Sequence, residues 1–211
     1  MEFSCSSYTT FPKLSSAIAL GQVVSRLRRY GVRISGKWSF DNLFAAFAGV
    51  DAVGQKLAQK IGGSAQDAFK ETFTSVNFQW VDGACGAQTD RCYADAKSFP
   101  NTIKFYSKWW ATNTLALATP PVDFTLAIHE IGHAFNSRTI GIFNQDVANR
   151  GINDKTGFGL TVGAKGQSEV TADLFTNYVL GTFTGPGLGG VNLPGFMDTN
   201  IVTWVNLAST P

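Results

Sequence analysis

Both histidines of this 211-residue chain stand within one five-residue stretch, His129-Glu130-Ile131-Gly132-His133. A spacing of four brings two side chains onto one face only where the backbone is helical, so a helix here is the first element the fold must contain. The surroundings agree. Residues 122–138 follow Pro120-Pro121 and supply Leu126, Ile128, Ile131, Ala134 and Phe135 as apolar contacts. Two imidazoles one turn apart can reach a single ion. Glu130 projects beside their face, where it can meet a metal-activated water without displacing it. The bland alternative is a histidine pair making ordinary hydrogen bonds. Against it stands the placement of the chain's whole histidine supply in one H-E-x-x-H pattern.

A catalytic zinc site takes three protein ligands and leaves one position open. With no third histidine, the longer metzincin pattern is excluded, and the third ligand must be a carboxylate or a cysteine. Glu169-Val170-Thr171-Ala172-Asp173 offers one carboxylate at the start of a helix and another one turn later on the same face. Glu169 is the candidate ligand. Asp173 is the candidate acceptor for the N–H of His129 or His133, which would set that ring's tautomer.

In these residues, HEIGH at 129–133 and E-x-x-x-D at 169–173, the chain resembles the gluzincin group of zinc metallopeptidases. The likeness covers roughly residues 100–180. It implies an α+β, zincin-like fold: a mixed twisted sheet with a backing helix and an active-site helix, and a smaller, mainly helical C-terminal lobe. It also implies that the alternating strand at 102–106 is the edge strand that pairs with extended substrate. Many gluzincins stabilise the transition state with a further histidine, which this chain lacks. Tyr106, Arg138, Arg150 or Tyr178 must then supply the donor, and Tyr178 ranks first because it lies on the glutamate helix.

Elsewhere the hydrophobic pattern predicts helices over 14–29 and 40–61, the second N-capped by Ser39 and ended by Gly62-Gly63. Alternation predicts strands at 30–35, 75–80 and 102–106. The stretch 139–166, with six glycines, reads as an irregular loop, and Ser168 as the N-cap of the helix to Leu180. A Gly/Pro-rich loop at 181–195 leads to an amphipathic segment around Ile201–Leu207. Residues 1–138 and 139–211 are expected to form two lobes of one catalytic domain, with substrate lying between them.

Composition narrows the function classes. Apolar residues make up 44% and charged residues 15%, against about 25% charged in an average soluble domain, which excludes a disordered chain. A net charge of +2 is too small for nucleic-acid binding, and Arg26, Arg28 and Arg29 read as the solvated end of a helix. No apolar run approaches the roughly 20 residues that a spanning helix needs. The N-terminus lacks the basic start of a leader. Low charge with many Gly, Thr, Ser and Asn points to a secreted protein whose leader is not in this sequence. Cys85 and Cys92 bracket a short loop and are the expected disulfide, leaving Cys5 unpaired. Asp146, Asp154 and Asp198 show no calcium-loop pattern.

The resulting expectation is a monomeric zinc endopeptidase acting on polypeptides, with His129, His133 and Glu169 as ligands, Glu130 as general base and Tyr178 as donor. Two alternatives stand beside it. One is a zinc-containing binding module without catalysis. The other is an amidase of the deformylase type with an upstream cysteine ligand, although that family's Gly-rich and Glu-Gly-Cys signatures are missing.

Overall fold

The computed structural model describes residues 16–83, 94–98, 102–107, 122–152, 166–183 and 191–210. Cys5, Cys85 and Cys92, and with them the expected disulfide, lie outside the described residues. In chain order the elements are α1 (Ser16–Arg29), β1 (Val32–Ser35), α2 (Phe40–Ile61), α3 (Ala65–Phe73), β2 (Val76–Val81), β3 (Ala94–Ser98) and β4 (Thr102–Tyr106). Then follow α4 (Val122–Arg138), α5 (Ile142–Asn149), α6 (Gln167–Leu180) and α7 (Leu193–Ser209).

Helices dominate, and the expected α+β, zincin-like architecture with a sheet as its main layer is corrected accordingly. The sheet is small, with four strands of four to six residues each. Three helical segments escaped the pattern. Residues 65–73 form α3, N-capped by Ser64, whose hydroxyl accepts from the Asp67 amide. Residues 142–149 form α5 inside the stretch read as irregular; Phe143 and Val147, one turn apart, are its buried side. The last helix starts at Leu193, with Asn192 capping the Gly195 amide, and so takes in the last three residues of the supposed Gly/Pro loop.

The sheet order is β1-β2-β4-β3, with β1, β2 and β4 parallel and β3 antiparallel to β4. Thr102–Tyr106 is therefore an inner strand, and the edge position expected of it belongs to Ala94–Ser98. Along β2, Val76, Phe78 and Trp80 are buried and alternate with more exposed neighbours, as period-two patterning requires. That apolar face carries Phe78 against Phe105, and Trp38 against both Trp80 and Phe105.

One hydrophobic cluster runs from Val23 to Ala208, with α4 at its centre. The helix packs on α2, α3, α6, α7 and the strands β3 and β4. Small residues make the α2 crossing close: a Cβ added at Gly49 would lie 2.8 Å from Ala127 Cβ. On the other side Phe135 meets Phe143 and Phe175, and Trp204 of α7 closes on Phe143 while donating to Asp146. The H-E-x-x-H pattern thus sits on the most enclosed helix of the molecule.

Candidate metal centre

The position of α4 against α6 decides the site. Both Gly132, inside the H-E-x-x-H pattern, and Ala172 lie at the crossing. A Cβ added at Gly132 would come within 3.1 Å of Ala172 Cα and 3.2 Å of Phe175 Cβ, so the two helices approach closely enough that a side chain there would push its neighbours aside. Two hydrogen bonds fix this pose through α5: Thr171 Oγ1 donates to Asn144 Oδ1, and the Asn144 amide donates to Asn136 Oδ1. Replacing Gly132 by valine is expected to cost about 1–3 kcal/mol by overpacking, read from urea unfolding of the metal-free protein. Zinc binding should weaken with it, because Glu169 is carried away from the histidines. Unchanged stability would remove the close crossing from the account.

This crossing brings Glu169 to the histidine pair. His129 Nε2 lies 3.2 Å from His133 Nε2 and 3.2 Å from Glu169 Oε2, and His133 Nε2 lies 3.4 Å from Glu169 Oε1. An ion bound tetrahedrally, about 2.0–2.2 Å from each of three N or O donors, spaces those donors by about 3.3–3.5 Å. The observed separations approach that spacing, with the carboxylate meeting His129 through Oε2 and His133 through Oε1. His129, His133 and Glu169 can therefore hold a metal ion, and they are the only such trio of His, Cys, Asp or Glu among the described residues. The third member of this trio is a carboxylate; the upstream cysteines of the deformylase alternative lie outside the described residues.

The two rings are held differently. His129 Nδ1 lies 2.8 Å from Asp173 Oδ1, and both side chains are buried. Of the two histidines that Asp173 was expected to serve, it serves His129. With the N–H on Nδ1 donating to Asp173, the lone pair of Nε2 points into the cluster. His133 Nδ1 faces Ser168 Oγ at 3.1 Å. Ser168 is consequently not the N-cap of α6: the cap is Gly166, with no side-chain bond. The serine's tertiary partner was not legible in a local pattern. Burial encloses the Asp173 side, whereas the Glu169 side chain is 45% exposed, so the cluster opens to solvent along one edge.

Charge follows the same geometry. Burial alone would lower the His129 pKa, but bonds to Asp173 and Glu169 and the nearby charge of Glu130 overcome it and raise the value to about 10. Bonds from His129 and then His133 hold the Glu169 carboxyl well below the usual carboxylate range. Without metal, His129 thus keeps a proton at neutral pH, which an incoming cation must displace. The sign follows: below about pH 10 protons compete with the metal, and above it they do not. Apparent zinc affinity should rise about tenfold per pH unit between pH 6 and 8, measured against a chelator of known proton affinity. A flat profile would contradict the protonated cluster.

Glu130 is buried at 6% exposure, next to His129 in sequence but outside the trio. The transition-state donors fare less uniformly. Tyr178 is nine residues from Glu169, about two and a half turns, and so projects from the opposite face of α6. Its hydroxyl donates to Asp198 at 2.7 Å, Asp198 pairs with Lys60, and Lys56 lies over the phenol ring. Burial, with Asp198 beside it, pushes the phenol well above its usual pKa. This network joins α2, α6 and α7, and the donor role expected of Tyr178 is corrected to that structural one. Arg138 is also engaged elsewhere, donating to Thr74 Oγ1 and the Ala208 carbonyl. Arg150 is the exposed C-cap residue of α5. Tyr106 is buried at the end of β4, a strand that packs on α4.

Comparisons with protein-family models, with curated proteins and with solved structures returned no match.

Proposed function

We propose that this chain is a zinc-dependent endopeptidase, with His129, His133 and Glu169 as the ligands and Glu130 as the general base. The observation that carries the reading is the set of donor separations, 3.2, 3.2 and 3.4 Å, on the side of the cluster that opens to solvent. Three protein ligands with an accessible fourth position is the pattern of catalytic zinc, whereas structural zinc is closed by four. The ligand set is gluzincin-like in its residues and spacing; the likeness is claimed for the site alone.

Held by His129, His133 and Glu169, a zinc ion would supply Lewis-acid polarisation of a carbonyl and a nucleophilic water near neutral pH. Glu130, beside His129 but not among the ligands, takes the proton from the attacking water and passes it to the departing amine. His129 and His133 would hold the ion through Nε2, since Asp173 and Ser168 engage their Nδ1 atoms. Tyr106, on a strand that packs on α4, is the candidate donor to the developing oxyanion.

A polypeptide substrate is supported by β3. It is one of the two edge strands of the sheet, and of the two it is the one that packs on α4 among the described residues. An edge strand offers backbone groups to which an extended chain can add. The test is digestion of an unfolded protein and a mixed peptide library, with a chelator control and zinc readdition. Cuts that vanish with the chelator and return with zinc support the proposal. A zinc-loaded protein that cuts nothing would contradict it.

A further inference from the structure

We infer that Ser168 is a positioning residue for His133, holding the imidazole in the tautomer that presents Nε2 to the metal. The inference rests on the metal reading of the cluster and adds to it a residue that neither the motif nor the E-x-x-x-D spacing contains. His133 can be a ligand through Nε2 only if its ring proton sits on Nδ1, and a ring N–H in a partly buried place needs an acceptor. Ser168 Oγ, 3.1 Å away, fills that need. Among the described residues the serine has no capping duty at the helix start, since the cap is Gly166 and makes no side-chain bond.

The two ligands are therefore unequal. His129 is oriented by a buried carboxylate, His133 by a neutral hydroxyl at the exposed start of α6. A carboxylate acceptor makes a ring a stronger base than a hydroxyl does, and water can replace an exposed hydroxyl. His133 is the ligand whose hold depends on local ordering of the first turn of α6.

The chain's two histidines make this directly readable. Imidazole nitrogen-15 shifts of the metal-free protein at pH 8 report which nitrogen of His133 carries its proton, and competition with a chelator reports zinc affinity. In wild type His133 should carry its proton on Nδ1. Ser168→Ala should shift the population toward Nε2–H and lower zinc affinity about tenfold. Ser168→Thr, which keeps the hydroxyl, should restore both, and circular dichroism should show all three proteins folded alike. An alanine variant with wild-type tautomer or wild-type affinity overturns the assignment. The tautomer comparison needs no metal, so it still decides the role of Ser168 if wild type proves to bind no zinc, an outcome that would instead remove the proposed function.

Discussion

Glu130→Gln should lower kcat against a cleaved peptide by about 10²–10⁴-fold and leave one zinc per chain in place. Glutamine has the size and hydrogen-bonding reach of glutamate but cannot take a proton. Glu130 lies outside the trio of candidate ligands, so its replacement removes no donor. It is nevertheless close enough for its charge to help raise the His129 pKa. That combination, electrostatic proximity without ligation, is what a base acting on water beside the ion requires. If the glutamine variant loses zinc together with activity, Glu130 is a ligand and the trio is wrongly assigned. If it keeps full activity, the general base is elsewhere.

Asp173→Asn is the second large effect. The asparagine can still accept the His129 N–H, but as a neutral group, so the ring becomes a weaker donor to the ion; zinc affinity should fall about 10–100-fold. The same substitution removes one of the groups that raise His129 to about 10. Its pKa then moves toward the ordinary value, and protons compete less with the metal at neutral pH. The pH dependence of affinity should therefore flatten, and the loss relative to wild type should be smaller at pH 7 than at pH 9. Titration of both proteins at the two pH values checks this. A uniform loss would mean that Asp173 acts by packing and not through the charge on His129.

The legible parts of this molecule were those in which neighbours in sequence are neighbours in space. The i, i+4 spacing of His129 and His133, and of Glu169 and Asp173, is helix geometry, and it brings out the candidate ligands before any tertiary information. The same geometry, applied to residue 178, places Tyr178 on the far face of α6. Sharing a helix with Glu169 was an insufficient reason to assign it to the site. Ser168 was misread because a serine before a helix has a local role as its commonest use, and its partner His133 is 35 residues away.

Fold class failed for a related reason. The strands at 76–81 and 102–106 alternate strongly, while the short helices carry weak signals. In α5 only Phe143 and Val147 are buried, and the helix is flanked by Gly141 and Gly151 at positive φ. Such glycines read as loop. Strand β3, with the sequence ADAKS, has little β propensity, and only its pairing with β4 makes it a strand. Strand order is a tertiary property, so the edge of the sheet was assigned to the stronger pattern and belongs to the weaker one.

The central claim is the metal centre itself, and metal stoichiometry tests it most directly. Wild-type protein, stripped and reloaded with zinc, should bind one ion per chain by elemental mass spectrometry and calorimetric titration. His129→Ala, His133→Ala and Glu169→Ala should each abolish tight binding while remaining folded by circular dichroism. Wild type that takes up no zinc, or binding that survives the loss of any of the three, would contradict the account.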